Sequence, residues 1–122
     1  MMYTLVKDMD EVRVITILVE VIQFSNYEEV FTKIKNAISE FNAFIVLDLA
    51  KVKFMDSLSL GMLVPLLLYT RRLGGDMIIV VEDKKIMDLF RMLRLDKILR
   101  ISDTVEEAAK YFTQEEVRDV SD

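Results

Sequence analysis

Residues 44–63 read FIVLDLAKVKFMDSLSLGML, and this stretch indicates how the 122-residue chain folds. Its first part, Phe44–Leu49, is a nearly continuous apolar run of strand length, which is typical of a central strand covered on both faces. Residues Leu58–Arg72 then predict a helix. A buried strand followed by an apolar helix is the repeating unit of an α/β protein.

Strands and helices also alternate on both sides of this stretch. The further predicted elements are, in chain order, strands at Tyr3–Lys7 and Val12–Val21, a helix begun by a capping box of Ser25 and Glu28, a strand at Met77–Val81, a helix capped by Asp83, a strand at Ile98–Ile101 and a helix capped by Thr104. This order predicts an α/β fold with a mostly parallel sheet of four to five strands, an N-terminal hairpin and about four helices. We expect one domain over residues 1–112, followed by a frayed acidic C-terminal tail over residues 113–122.

The composition excludes several kinds of chemistry. With 52% hydrophobic and 30% charged residues, the chain is globular rather than disordered. It has no Cys and no His, which excludes disulfides, thiolate nucleophiles, histidine triads and metal sites built from thiolate or imidazole ligands. The carboxylates of Glu20, Asp48 and Asp56 have no spacing that singles out an acid–base pair. We therefore expect no enzyme activity, no metal ion and no cofactor.

Charge and hydropathy bear on partners and location. A net charge of −5 and a pI of about 4.8 make the chain a poor candidate for binding nucleic acid. The longest mostly apolar run, Leu58–Tyr69, is shorter than the roughly 20 residues that cross a bilayer. The N-terminal segment carries Asp8, Asp10 and Glu11 and does not have the pattern of a signal peptide. We expect a cytoplasmic protein that binds neither nucleic acid nor a membrane.

The predicted helix Leu58–Arg72 is apolar around most of its circumference. Such a helix is either a fully covered core helix or one that presents apolar surface to a partner. In the second case, Leu58, Met62 or a neighbouring residue of the helix contributes to a docking surface.

Proline and glycine mark two points along this helix. Pro65 cannot donate a hydrogen bond to the carbonyl of Gly61, so we expect a kink there. Gly74–Gly75 follows two arginines at the helix end and predicts an ordinary C-cap rather than a phosphate-binding loop.

Asp56 and Ser57 lie where the helix needs an N-cap. One interpretation is that one of them is simply the cap, which is worth about 1 kcal/mol. The other is that the serine is a reversible switch. A phosphate at a helix N-terminus meets free N–H groups and adds about −1.5 to −2 charges without unfolding the helix, whereas a partner surface would not tolerate it.

The motif residues resemble a known family. The stretch Phe44–Leu63 is similar to the core motif of the STAS domain of bacterial anti-sigma factor antagonists, also called anti-anti-sigma factors. That motif is a hydrophobic strand, a variable loop and then Asp-Ser-Ser-Gly-Leu-Gly at the start of a helix. The resemblance continues through Leu73–Met77, Leu89–Phe90 and Leu95–Ile98, so it covers most of the chain.

The resemblance implies a mechanism. In this family the unphosphorylated protein binds an anti-sigma factor that is also a serine kinase, and the sigma factor is released. The kinase uses its own ATP to phosphorylate the serine after the motif aspartate, the phosphoprotein dissociates, and a phosphatase resets the cycle. By position, the phosphoacceptor here is Ser57. The partner-binding residues are Ile22, Gln23, Asp56, Ser57, Leu58, Ser59 and Met62, and we expect a monomer or a weak homodimer.

The sequence departs from the family pattern in three places. Leu58 replaces the second motif serine and Ser59 the first glycine, so Ser59 is the alternative phosphoacceptor. Val19–Ile22 stands where the family has Gly-Glu-x-Asp, so the partner contact of that aspartate is absent or made by another residue such as Gln23. Arg94 stands where the family often has glycine. The alternative function is a non-switching STAS-type scaffold that binds a small ligand or another protein.

Overall fold

The computed structural model describes residues 2–121, with side chains described over residues 2–113. The strands are β1 (Thr4–Met9), β2 (Val12–Ile17), β3 (Val21–Ile22), β4 (Phe44–Asp48), β5 (Phe54–Met55), β6 (Asp76–Val80) and β7 (Arg100–Ser102). The helices are α1 (Tyr27–Asn36), α2 (Ser57–Gly61), α3 (Leu63–Arg72), α4 (Lys84–Met92) and α5 (Val105–Ser121), with a 3-10 turn at Leu95–Lys97. Within the described residues, no helix combines the length and apolar character needed to cross a membrane.

Five of the strands form one sheet in the order β1-β2-β4-β6-β7. The β1–β2 hairpin is antiparallel, and the other three pairs are parallel. The predicted α/β class, the mostly parallel sheet and the N-terminal hairpin are therefore confirmed. The carboxyl ends of β2, β4 and β6 lie at one edge of this sheet, since Thr16, Asp48 and Val80 are in register.

The central strands β2, β4 and β6 are buried on both faces, whereas the edge strand β1 is mostly exposed. Alternate residues of a strand point to opposite sides of the sheet, and helices cover both sides of these three strands. One face packs with α1–α4 in the larger core cluster, which includes Ile15, Leu47 and Ile79. The other face packs against α5, where Val46 and Ile78 contact Ala108 and Phe112. This two-sided burial explains why β4 and β6 have apolar residues at successive positions.

The predicted strand Val12–Val21 is interrupted in the structure. β2 ends at Ile17, next to the end of its neighbour β4, so a longer strand would have no partner in the main sheet. The chain then forms β3, which pairs in parallel with β5 as a separate two-stranded sheet. The carbonyl of Glu20 accepts hydrogen bonds from the N–H groups of Lys53 and Phe54, at 2.7 and 3.1 Å. Sequence patterning did not predict β5.

The predicted capping box of Ser25 and Glu28 is wrong. Helix α1 begins at Tyr27 with Asn26 at its N-cap, and the Asn26 side chain makes no capping bond. Its amide holds the preceding loop instead, accepting from the Gln23 N–H at 2.8 Å and donating to the Val21 carbonyl at 2.9 Å. The other two predicted caps are present. Asp83 accepts from two N–H groups of α4, and the Thr104 hydroxyl accepts from the N–H of Glu107.

The helix predicted over Leu58–Arg72 begins one residue earlier and is divided at Met62 into α2 and α3. Pro65 lies in the first turn of α3, where the absent N–H would otherwise have bonded the carbonyl of Gly61, the last residue of α2. Met62 itself has helical dihedral angles, with φ −68° and ψ −19°.

Gly74 and Gly75 end α3 with two hydrogen bonds, as the sequence predicted. The N–H of Gly74 donates to the Arg71 carbonyl at 3.0 Å, and the N–H of Gly75 donates to the Thr70 carbonyl at 3.1 Å. This pair of bonds is a Schellman motif, and Gly74 has the left-handed φ of 90° that the motif requires.

Two boundaries near the C-terminus differ from the prediction. β7 covers Arg100–Ser102 rather than Ile98–Ile101, because the 3-10 turn occupies the residues before it. The predicted tail, residues 113–122, begins inside α5, and the side chains of residues 114–122 lie outside the described residues, so the tail stays a prediction.

Arg94 follows the end of α4 in the left-handed conformation, with φ 59° and ψ 25°. This is the position where the family often has glycine. For a residue with a Cβ, this conformation costs about 1 kcal/mol or more, and the exposed Arg94 gains no side-chain bond that offsets it among the described residues.

We therefore expect Arg94→Gly to stabilise the protein by about 0.5–1 kcal/mol, because glycine accepts this backbone conformation without strain. Urea unfolding followed by circular dichroism measures the change. Arg91→Gly is the matched control, since Arg91 is an exposed arginine inside α4 and its replacement should destabilise by a similar amount. Destabilisation by both substitutions would contradict the strain that we assign to Arg94.

Candidate functional site

Two loops come together at the carboxyl ends of β3 and β5. Because these strands are parallel and in register, residues 23–26 after β3 lie beside Asp56 after β5. The N–H of Asp56 donates to the Ile22 carbonyl at 3.3 Å, which closes the gap between the loops. Carboxyl ends of strands are where α/β folds carry their functional loops.

Asp56 joins three parts of this region through its carboxylate. One oxygen, Oδ1, accepts from the backbone N–H of Ser59 at 2.9 Å and from its hydroxyl at 2.6 Å. The other, Oδ2, accepts from the backbone N–H of Phe24 at 2.9 Å. Asp56 is therefore the N-cap of α2, and it also fixes the loop after β3 against the start of that helix.

These hydrogen bonds lower the pKa of the Asp56 carboxyl, with the Ser59 hydroxyl as the largest cause and the Ser59 and Phe24 N–H groups acting in the same direction. Partial burial raises the pKa, by less than either Ser59 bond lowers it and by more than the Phe24 bond lowers it. The three donors hold the carboxylate in place between the loop after β3 and the start of α2, and the predicted partner contact of Asp56 stays a prediction.

The two candidate serines have different surroundings. Ser57 is the first residue of α2 and is exposed. Ser59 is fully buried, and its hydroxyl is held by the Asp56 carboxylate. Of the two hydroxyl groups, that of Ser57 faces solvent.

The other predicted partner-binding residues divide into surface and buried positions. Gln23 is exposed, and the Leu58 side chain is 46% exposed. Ile22 is fully buried, because alternate residues of β3 face opposite sides, and its predicted contact with a partner stays a prediction. Met62 is also buried and lies at the bottom of a shallow groove lined by residues of α1, α2 and α3.

Sequence reasoning missed two exposed aromatic residues, one in the loop after β3 and one in β5. Phe24 is 78% exposed in the loop after β3, and its ring lies 6.5 Å from that of Tyr27. Phe54 in β5 is 49% exposed and pairs with the exposed Val21 of β3. The sequence did contain a signal for both residues. Each is a phenylalanine at or near a strand end, and no periodic pattern assigns either to the core. Phe54 lines a groove with residues of α4. We call the surface formed by Gln23, Phe24, Ser57 and Leu58 the Ser57 surface.

The carboxylates considered for catalysis are not brought together by any described contact. Asp48 bonds to the Thr16 hydroxyl and to the N–H of Ala50, whereas Asp56 bonds to Ser59 and Phe24. Among the described residues, no group of three or more acidic side chains is arranged to hold a metal ion.

The fold and the arrangement of its loops define an α/β domain of the STAS type. The chain belongs to the STAS domain family, whose model matches residues 3–108. Solved structures with the same fold include a protein from Thermotoga maritima assigned as an anti-sigma factor antagonist, with 24% identity and a TM-score of 0.76 over 88% of this chain and 92% of that one. An anti-sigma factor antagonist from Mycobacterium paratuberculosis is 23% identical, with a TM-score of 0.77 over 88% and 91% of the two chains.

A third similar structure is the Bacillus cell fate determinant SpoIIAA in its phosphorylated form. It is 21% identical, with a TM-score of 0.64 over 89% of this chain and 98% of that one. These likenesses establish that the chain has the fold of the anti-sigma factor antagonists. The predicted family and fold are confirmed.

Proposed function

We propose that this protein is a cytoplasmic anti-sigma factor antagonist that is switched off by a phosphate on Ser57. In the unphosphorylated state it binds an anti-sigma factor serine kinase, which then releases its sigma factor. The observation that carries the proposal is the contrast between the exposed Ser57 hydroxyl and the buried, hydrogen-bonded hydroxyl of Ser59. A kinase can reach the first without any change in the fold.

The surroundings of Ser57 support docking of another protein. Leu58, the next residue after Ser57, is 46% exposed, and Phe24, whose backbone N–H donates to the neighbouring Asp56, is 78% exposed. Exposed apolar side chains that lie close together are a common mark of a protein interaction site. The hydrogen bonds of Asp56 hold the two loops in one arrangement, so little order has to be gained when a partner binds.

The chain supplies only the hydroxyl to the reaction. The kinase transfers the γ-phosphoryl group of its own ATP to the Ser57 oxygen, the hydroxyl proton leaves, and ADP departs with the electrons of the broken bond. The product carries about −1.5 to −2 additional charges at the centre of the docking surface. Burying that charge without a matching cation costs several kcal/mol. Since about 1.4 kcal/mol is tenfold in affinity, one phosphate is enough to release the partner, and a phosphatase then restores the binding form.

We expect Ser57 to be the only one of the two motif serines that acquires phosphate when the protein is incubated with ATP and a lysate of its native host. Phosphopeptide mapping of the wild type, Ser57→Ala and Ser59→Ala measures this. Phosphate should disappear in Ser57→Ala and persist in Ser59→Ala. Ser25→Ala is the matched control, because Ser25 is an exposed serine in the neighbouring loop.

Two results would count against this proposal. Phosphate on Ser59 would overturn the choice of acceptor but keep the mechanism. Phosphate on neither serine, in a lysate where a known kinase and its antagonist react, would favour the non-switching scaffold. In that case Ser57→Asp would leave partner binding unchanged, whereas the proposed switch requires at least a tenfold loss that Ser25→Asp does not cause.

A further inference from the structure

An exposed apolar stripe runs along α2 and α3. It consists of Leu58, Gly61, Pro65 and Leu68, all exposed, with 46% of Leu58 and 47% of Leu68 accessible at the two ends. Their spacing of three, four and three residues places them on one side of the helix, over a length of about 15 Å. Leu68 lies at the opposite end of the stripe from Ser57, so the Ser57 surface does not account for it.

The stripe is symmetric about Leu63. Leu58 and Leu68 each lie five residues from this position, and Gly61 and Pro65 each lie two residues from it. When two such helices pack antiparallel, Leu58 of each copy lies against Leu68 of the other copy. Gly61 of each copy likewise lies against Pro65 of the other. An interface in which the same patch contacts itself is the kind that closes a two-fold dimer.

We propose that the stripe is the contact surface of an antiparallel homodimer, and that phosphate on Ser57 strengthens this dimer by pairing with Arg71 of the second copy. The proposal rests on Ser57 being the phosphoacceptor. The phosphorylated protein is then a dimer in which the surface that binds the kinase is covered.

Charge complementarity indicates that the partner bound on this stripe is a second copy of the chain. Ser57, Val64 and Arg71 are seven residues apart and lie along one edge of the stripe. In an antiparallel pair of helices this edge faces the same edge of the other copy, which brings Ser57 of one chain near Arg71 of the other. A guanidinium group and a phosphate form short, bidentate, charge-assisted hydrogen bonds.

Arg71 is available for such a contact. Its side chain is 52% exposed, and its Nε pairs with Asp76 Oδ1 at 3.2 Å. An ion pair this exposed to solvent contributes little to stability. Among the described residues, the two terminal nitrogens of the guanidinium group have no hydrogen-bond partner, so four N–H donors remain. A phosphate on the facing helix offers a stronger acceptor than the Asp76 carboxylate, whose Oδ1 also accepts from the backbone N–H of Met77.

The size of the stripe indicates a weak dimer without phosphate. Stable interfaces bury about 1,200–2,000 Å² in total, and four small or half-exposed side chains on each copy provide much less. The net charge of −5 on each chain opposes association further. Two symmetric phosphate–arginine pairs are then the largest attractive contribution, so the association constant should depend strongly on modification.

Sedimentation velocity on the full chain, at concentrations from micromolar to millimolar, tests the proposal. Phosphoserine is installed at position 57 during translation, so no kinase is needed and a failure of the kinase reaction does not affect the result. We expect the phosphoserine protein to dimerise at least tenfold more tightly than the unmodified protein. Arg71→Ala should remove that gain, and Leu68→Glu should prevent dimerisation of both forms.

Two control variants separate this surface from general effects. Arg91→Ala removes an exposed arginine that also pairs with an aspartate, and Leu93→Glu places a charge on a leucine that is 45% exposed outside the stripe. Both should leave the dimer unchanged, and circular dichroism confirms that all variants fold. A phosphoserine protein that stays monomeric overturns the proposal. A dimer that is insensitive to Leu68→Glu or Arg71→Ala does so too, because it would use another face.

Discussion

Gly75→Ala is expected to destabilise the protein by at least about 4 kcal/mol, which is most of the stability of many domains. A Cβ at this position would overlap the backbone carbonyl group of Ala43 and lie 2.5 Å from the Ala43 side chain. The same carbonyl accepts the Asp76 N–H at 3.0 Å, next to the first residue pair of β4 and β6. Relief therefore requires the two central strands to separate where they begin. Urea unfolding followed by circular dichroism measures the loss, since the chain has no tryptophan.

The other two glycines are controls for this prediction. Gly74→Ala meets no atom within 4 Å but places a Cβ on a left-handed residue, so it should cost only about 1–2 kcal/mol. Gly61→Ala also meets no atom and has no left-handed φ, and alanine at this helical position should stabilise by up to about 1 kcal/mol. If the three substitutions had similar effects, the overlap with Ala43 would not be the cause.

Asp56→Ala has the second largest expected effect, a loss of about 2–4 kcal/mol in the free energy of unfolding. Removing an N-cap costs about 0.5–2 kcal/mol. The substitution also leaves the fully buried Ser59 hydroxyl without its 2.6 Å partner, and a buried polar group without a partner costs about 1–3 kcal/mol. The bond to the Phe24 N–H is lost as well, so the loop after β3 is released.

Asp83→Ala is the matched control for Asp56. Asp83 caps α4 through the N–H groups of Lys85 and Ile86, and within the part of the chain that the structure describes it has no bond to a buried hydroxyl or to another loop. Its removal should cost about 1 kcal/mol, the value of a cap alone. Equal losses in the two variants would show that Asp56 acts only as a cap.

The contribution of the Asp56 carboxylate to the free energy of unfolding depends on pH. Because the folded protein lowers the pKa of this carboxyl below its ordinary value of 3.8, the ionised form stabilises the fold. That stabilisation is present above pH 3.8 and is lost as the pH falls through the lower pKa of the folded state. The difference in stability between the wild type and Asp56→Ala should therefore be largest near neutral pH and decrease below pH 3.8.

Much of the fold follows from local patterns. The apolar run of β4, the hairpin and the order of strands and helices predict an α/β sheet, because burial on two faces requires apolar residues at successive positions. The Asp83 cap and the Schellman motif after α3 were also predictable, because each depends on residue types a few positions apart. The motif Asp56-Ser57 was found for the same reason.

The details of the site could not be predicted in this way. β3 and β5 are two residues each, and they form because each supplies the other's hydrogen bonds across more than thirty residues of chain. The burial of Ile22 and the exposure of Phe24 depend on that pairing, as does the bond from Asp56 to the loop after β3. No local pattern contains this information.

The sequence by itself determined the class of fold, the family and the two candidate phosphoacceptors, Ser57 and Ser59. These rest on hydrophobic periodicity and a contiguous motif, which are properties of neighbouring residues. The tertiary structure decided which serine faces solvent, which apolar side chains stand beside it and which helix stripe is left uncovered. Solvent exposure is set by what packs against a residue from distant parts of the chain, so it appears only when the whole domain is assembled.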